Sequence, residues 1–385
     1  MLTMDKFTGI NNIVPEMRLA PNDLVTAANV DIGLSGEISR RDGYSVVSED
    51  CHKNLWQGDG FMLATSLGDL KKVGGATLYP SLGLDRVWYC NLPDGKTIFS
   101  NGLINGLTDG LTRTSWGVPI PASIGSVTPV SGGLFPGDYQ YQITYVRLSD
   151  GAESGPAYSN PTALPDGGFF VGGLPVMAGH KINVYLTSHN GGGAYYAGST
   201  TGSSFSFIGE NHELVLPCRT DHLDEPPVGT VMAFWRGRVL VADGDTLWAS
   251  KQAQWGLFDK RRDFKRFDSP ITLIQPVNDG VYIGTEKELL FLAGTEFDKL
   301  QQVRIMRGRV VLGSGVTVPG ERIKLGDGVG RNPAMICIAD GILVAGFDGG
   351  TAVRLTEGRY KTTATEVSAT FRMINGIPQY LAIPQ

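Results

Sequence analysis

Charge, helical periodicity and long apolar runs are all scarce in this sequence. Only 18% of its 385 residues are Asp, Glu, Lys or Arg, too few for a protein of long solvated helices. No stretch approaches the roughly 18 consecutive apolar residues that a membrane-crossing helix needs. The opening MLTMDKFTGINNI has no apolar run of signal-peptide length, and the one Asn-x-Thr triplet carries Pro161 after Asn160 and so is no glycosylation acceptor. The expectation is a chain made and folded in a cytoplasm. The four cysteines, Cys51, Cys90, Cys218 and Cys337, lie far apart with no C-x-x-C pair, which excludes the usual zinc and redox spacings and reads as buried thiols. A net charge of -5 argues against a protein whose main task is to grip nucleic acid, because that affinity comes from Lys and Arg neutralising phosphates.

Turns and short strands fill the space that helices leave. There are 52 Gly and 21 Pro, and the best helical candidate is a single short stretch, Asn22 to Ala28. A unit recurs instead: a Gly at a turn, an apolar strand, a polar turn and a second strand. It appears as Gly60 followed by FMLATSLGDLKKV, Gly237 by RVLVADGDTLWAS, Gly280 by VYIGTEKELLFLAG and Gly341 by ILVAGFDGGTAVRL. A further apolar strand precedes each copy: NLW, VMAFW, ITLIQPV and AMICIA. LDRVWYC, the turn NLPDG and KTIFSNG make a fifth, weaker copy, and FRMINGIPQYLAI reads as a last hairpin. An isolated sheet of three or four such strands cannot bury both faces. Neighbours stacked around an axis can, and a repeat of this spacing points to a β-propeller of five or six units.

Between the proline-rich flanks GVPIPAS and DEPPVG the pattern changes to longer strands. Tyr139, Tyr141, Ile143 and Tyr145 alternate with Gln140, Gln142 and Thr144, as on a half-buried strand. GDYQYQITYVRLSDGAESGPAYSNP resembles a fibronectin type III or immunoglobulin-like module, a β-sandwich of about 100 residues. The expected fold is all-β: an N-terminal arm and first propeller blades over 1–118, an inserted β-sandwich over 119–227, and the remaining blades over 228–385.

Motifs that suggest chemistry fail on their spacing. DGKTI has the end of a phosphate loop, yet Cys90 stands where that loop needs Gly, so Asp94-Gly95 reads as a hairpin turn. His212-Glu213 lacks the second histidine of a zinc protease, Leu216 being there instead. Asp221, His222, Asp224 and Glu225 form an acidic cluster without a glycine-turned ligand loop and read as a solvated linker. GDGVGR at Gly326 to Arg331 lacks the strand and helix of a nucleotide fold. VADGDTLWAS misses the register of the sialidase aspartate box, and no paired carboxylates for glycoside chemistry can be assigned. No catalytic, cofactor-binding or metal-binding residue is therefore assigned, and no cofactor is expected. The sharpest charge feature is Lys260, Arg261, Arg262, Lys265 and Arg266 around Phe264: an exposed loop between blades, or a docking surface for an acidic partner or for passing nucleic acid.

FTGINNIVPEMRL and LVTAANVDIGLSGEISRRDGYSVV resemble the N-terminal arm and first hairpin of the virion proteins that form the tail nozzle or tail tube of short-tailed phages. The resemblance continues through WGVPIPAS, FWRGRVLVADGDTLWASKQAQWGLFD and DFKRFDSPITLIQPVNDGVYIGTEKELLFLAG, and so touches most of the chain. It implies a virion structural protein of the tail, a propeller subunit in a ring, usually a hexamer. The ring sits below the portal and adaptor, beside other tail proteins and without a membrane anchor, and conducts double-stranded DNA during ejection. On that reading Asp243, Asp245 and Asp348 are candidates for lumen or end loops. A receptor-binding or glycan-cleaving tail propeller is the alternative.

Overall fold

The computed structural model describes residues 6–33, 35–43, 45–46, 48–325, 328–329, 333–374 and 376–385. It is almost entirely β-structure. Asn22 to Ala28 is not helical: Asp23–Leu24 pairs in parallel with Gly9–Ile10, and the helical segments among the described residues are single 3-10 turns such as Glu16–Arg18.

Five antiparallel sheets, four of them four-stranded and the third five-stranded, carry the body. The first blade runs Lys53–Gln57, Met62–Ser66, Asp69–Lys72 and Thr77–Tyr79; the second runs Trp88–Asn91, Thr97–Ser100, Asn105–Thr108 and Arg113–Thr114. The third runs Met232–Trp235, Arg238–Asp243, Thr246–Lys251 and Gln254–Phe258, with Phe264–Arg266 also pairing along its third strand. The fourth runs Ile271–Val277, Gly280–Thr285, Glu288–Ala293 and Gln301–Arg307; the fifth runs Val316–Val318, Ala334–Ala339, Ile342–Gly346 and Ala352–Arg354. A hairpin of Val367–Ile374 and Ile377–Pro384 follows.

Each blade packs face to face on the next, which is why its strands read as nearly unbroken apolar runs rather than as alternating ones. Leu63 and Leu70 of the first blade meet Tyr89 and Phe99 of the second. Ile98 and Leu107 meet Val239 and Val241 of the third, whose alternate residues Leu240 and Ala242 turn to Val281 and Ile283 of the fourth. Tyr282, Leu289 and Phe291 meet Met335, Cys337 and Val344 of the fifth, and Ile338 meets Val367 of the hairpin. The tight turns obey the same economy of residues: Arg236 and Gly237, with φ of 47° and 80°, and Asp340 and Gly341, with φ of 49° and 76°, have the paired positive φ of the I′ hairpin turn.

The phase of one repeat differs from its sequence alignment. The apolar pair joined at Gly341 fills the second and third positions of its blade, not the first and second, because Val316–Val318 supplies the innermost strand ahead of the connection to Ala334. Of the GDGVGR motif, Gly326, Asp327, Gly330 and Arg331 lie outside the described residues.

Between the second and third blades the chain forms a sandwich. A three-stranded sheet of Ser126–Ser131, Gly167–Gly172 and Ser204–Phe207 faces a four-stranded sheet of Ala157–Tyr158, Tyr141–Arg147, His180–Thr187 and Ala194–Thr200. Phe169, Val171 and Phe207 of one sheet pack on Tyr141, Ile143, Ile182 and Val184 of the other. The Tyr139 hydroxyl donates to the Phe135 carbonyl at 2.9 Å, a corner of the kind found in immunoglobulin-like sandwiches. The strand Tyr141–Arg147 is buried throughout, not half-buried. Its polar face is covered because the Glu153 carboxylate accepts hydrogen bonds from Thr144, Tyr185 and Asn183 across the sheet. Those three donors are met by the carboxylate instead of by water, while Gln142 Nε2 and Asn183 Oδ1 are buried on the same face without a hydrogen-bond partner among the described residues.

Candidate functional site

Six first strands converge on one space. Trp56, Tyr89, Met232, Ile274, Gly315 and Ala369, one residue from each blade or its approach and one from the hairpin, line both of two adjoining cavities of about 720 and 580 Å³. Convergence of the innermost strands on a shared cavity is what an axial arrangement of blades produces. The molecule is thus a propeller-like all-β body with a sandwich inserted in it.

The larger cavity has an aromatic and charged wall. The Trp56 ring stacks on Tyr89 with centroids 5.5 Å apart and planes at 18°, and its indole N–H donates to Asn91 Oδ1 at 2.8 Å, so the ring is held on one face and one edge. Arg86 lies 4.3 Å over the Trp88 ring and donates to Glu366 at 2.8 Å and to the Val367 carbonyl at 2.9 Å, tying the loop before the second blade to the final hairpin. Gly313, at φ +75°, makes room for it: a Cβ there would stand 2.1 Å from Arg86 Nη2. The Tyr89 hydroxyl is buried with no hydrogen-bond partner among the described residues, and burial pushes its pKa up. Lys53, on the first strand and exposed, makes no ion pair among the described residues.

Sequence reasoning missed Trp56, Tyr89, Arg86 and Glu366. Trp56 was visible as the end of the strand NLW, but one strand carries no sign of the axis it shares with five others. Arg86 and Glu366 are 280 residues apart in sequence.

The basic run lies away from this cavity, at the outer side of the third blade. Arg261 donates to the buried Asp259 at 3.2 Å, and Lys251 meets Asp259 and the half-buried Asp263 at 3.6 and 2.9 Å. Lys265 is half-buried, donates to the Leu300 carbonyl at 3.4 Å and sits 5.5 Å from the Phe297 ring; burial lowers its pKa. Arg266 pairs with Asp245 at 3.2 Å, which brings together two residues singled out separately in the sequence. Lys260 and Arg262 form no ion pair among the described residues. Asp243 sits exposed at the end of the second strand of the same blade, ahead of the turn at Gly244 and Asp245. Asp348 accepts from the Asn278 backbone N–H and side chain, each at 2.9 Å, clamping a turn of the fourth blade to the last turn of the fifth. None of Asp243, Asp245 and Asp348 lines the two axial cavities.

The N-terminal arm has almost no core. From residue 6 to residue 46 only Asn11 and Gly36 are buried among the described residues. The arm is fastened at one point: the Asp23 carboxylate accepts from Thr8 at 2.7 Å, from Asn11 at 2.9 Å and from Arg359, while Asn12 exchanges hydrogen bonds with the Lys361 backbone.

No protein-family profile and no curated protein matches the sequence. Among solved structures the chain is similar to BBS1N in its complex with ARL6DN, at 10% identity over 87% of this chain and 89% of that one, with a TM-score of 0.35. It is also similar to streptogramin B lyase, at 8% identity over 88% and 95% with a TM-score of 0.33, and to the computationally designed Ika8 protein, at 11% identity over 87% and 97% with a TM-score of 0.28. The fold assignment above rests on the sheet order and the inter-blade cores.

Proposed function

We propose that this chain is a non-catalytic structural subunit of a short bacteriophage tail. Copies assemble as a ring, a hexamer in the arrangement the resemblance implies, below the portal and adaptor, and double-stranded DNA passes through the ring during ejection. The observation that carries this reading is the arm. Its apolar side chains Ile13, Met17, Val25, Ile38 and Val46 are 45%, 99%, 49%, 38% and 62% exposed. A lone copy leaves them in water, whereas a neighbouring surface would bury them at about 25 cal/mol per Å². They fall in the same two segments that carry the resemblance, and a head-to-tail contact of this kind closes into a ring when its rotation permits.

On this reading the DNA path runs between copies and not along the axis of one propeller. With grooves about 8.5 and 7.5 Å deep, a duplex is more than about 16 Å across. One helical turn of about 34 Å then encloses on the order of 7000 Å³, roughly ten times the 720 Å³ of the larger axial cavity.

Light scattering on the purified protein, with electron microscopy of intact particles, tests the proposal. The expected result is a ring in solution or a ring-shaped density in the tail, with loss of the ring on deletion of residues 1–43. A stable monomer absent from virions, or release of reducing sugar from host polysaccharide by the purified chain, would overturn it.

A further inference from the structure

We propose that the larger axial cavity is a binding site for an acidic sugar unit, a pyranose bearing a carboxylate. This goes beyond the ring and does not depend on it.

Size comes first. Small-molecule sites enclose about 300–1000 Å³ and combine apolar walls with a few placed polar groups, and 720 Å³ lies within that range. The wall has a platform: Trp56 is 36% exposed, its ring backed by Tyr89 and its N–H fixed by Asn91, so the ring is immobilised before any ligand arrives. A rigid indole of this kind takes the apolar C–H face of a pyranose at little entropic cost. Leu55 of the first blade and Ile383 of the hairpin, 59% and 65% exposed, line the same cavity and leave apolar surface in water there.

Charge narrows the ligand class. The charged side chains of the lining are Lys53, Arg86 and Glu366, with His52 and the buried Tyr89 as its other titratable side chains. Glu366 balances Arg86, so Lys53 is the cation left over, and the cavity favours an anion. Arg86 itself is held by Trp88, Glu366, the Val367 carbonyl and the space that Gly313 leaves, and its placement is fixed without ligand. The Gln275 side chain donates through its nitrogen to Thr317 and keeps its oxygen as an acceptor for a hydroxyl. Stacking face, cation and amide acceptor around one cavity match the ring face, carboxylate and hydroxyls of a uronate-type sugar, and a simple anion would leave the indole unused.

The test uses the full-length protein in its native assembly, titrated with a hyaluronan tetrasaccharide and with chitotetraose. The two share N-acetylglucosamine, and only the first carries carboxylates. Binding is read by calorimetry and by tryptophan fluorescence. Expected are binding of the acidic oligomer about tenfold or more tighter than the neutral one, as one charge-assisted contact provides, and loss of that preference in Lys53→Ala. Trp56→Ala is expected to abolish binding of both with unchanged circular dichroism. No binding of either oligomer to the wild type, equal binding of the two, or acidic-oligomer binding that survives Trp56→Ala would overturn the proposal. The mass of the assembly, measured on the same sample, keeps that failure separate from a failure of the ring.

Discussion

Cys51 is exposed while Cys90, Cys218 and Cys337 are buried, so the expectation of four buried thiols holds for three. Burial pushes the thiols of Cys90 and Cys337 up to about 12, out of reach of the thiolate chemistry that alkylating or disulfide reagents need. Titration of the native protein with a disulfide reagent is expected to show one fast thiol, lost in Cys51→Ser, and three more only on unfolding. Asp23 makes a pH-dependent fastening. Hydrogen bonds from Thr8 and Asn11, reinforced by Arg359 against the opposing effect of burial, hold its carboxyl below the ordinary range. A depressed carboxyl stabilises the folded form above its unfolded value of about 3.9, and that contribution is lost as pH falls through the folded value. Amide exchange at Thr8 and Asn11 is therefore expected to stay slow from neutral pH down to about 4 and to rise in stronger acid. Asp23→Asn should speed it several-fold at neutral pH.

Strands were more legible than their surroundings. The runs RVLVAD and GVYIGT announced buried strands because both of their faces meet another blade, and the I′ turns at Gly237 and Gly341 announced themselves by glycine. Less legible was what depends on a partner distant in sequence. Thr144 and Gln142 read as a solvent face because Glu153 and Asn183, which cover it, belong to other segments. The innermost strand Val316–Val318 was hidden by its shortness, which shifted the phase of the last repeat by one position. Tyr282 shows how blades are locked together: the one hydrogen of its hydroxyl is shared between the Phe347 and Thr351 carbonyls, 2.7 and 2.9 Å away, and its oxygen accepts from the Phe347 N–H at 3.0 Å. Tyr282→Phe leaves those buried backbone groups without the hydroxyl and is expected to cost about 1–3 kcal/mol, read as a lower urea midpoint with an unchanged slope.

At the scale of the whole molecule, a net charge of -5 on each copy sets the expected behaviour of the proposed ring toward DNA. Purified rings should show no tight binding to duplex DNA at physiological salt in a filter or mobility assay; binding there would contradict a conduit that lets the polyanion slide. The placement of the sandwich governs how the chain comes together as it is synthesised. Ile98 of the second blade and Val239 of the third share one core, yet residues 115–231 emerge between them. Loop-closure cost grows by only about 0.6 kcal/mol for each doubling of length, so the detour itself is a minor thermodynamic burden. Its effect is on timing: the second blade leaves the ribosome with one face uncovered and keeps it so until the sandwich has been made and the third blade follows. A sandwich that folds at once, on its own core of Tyr141, Ile143 and Phe169, brings the two blades within reach and shortens the interval in which that open face can meet another nascent chain.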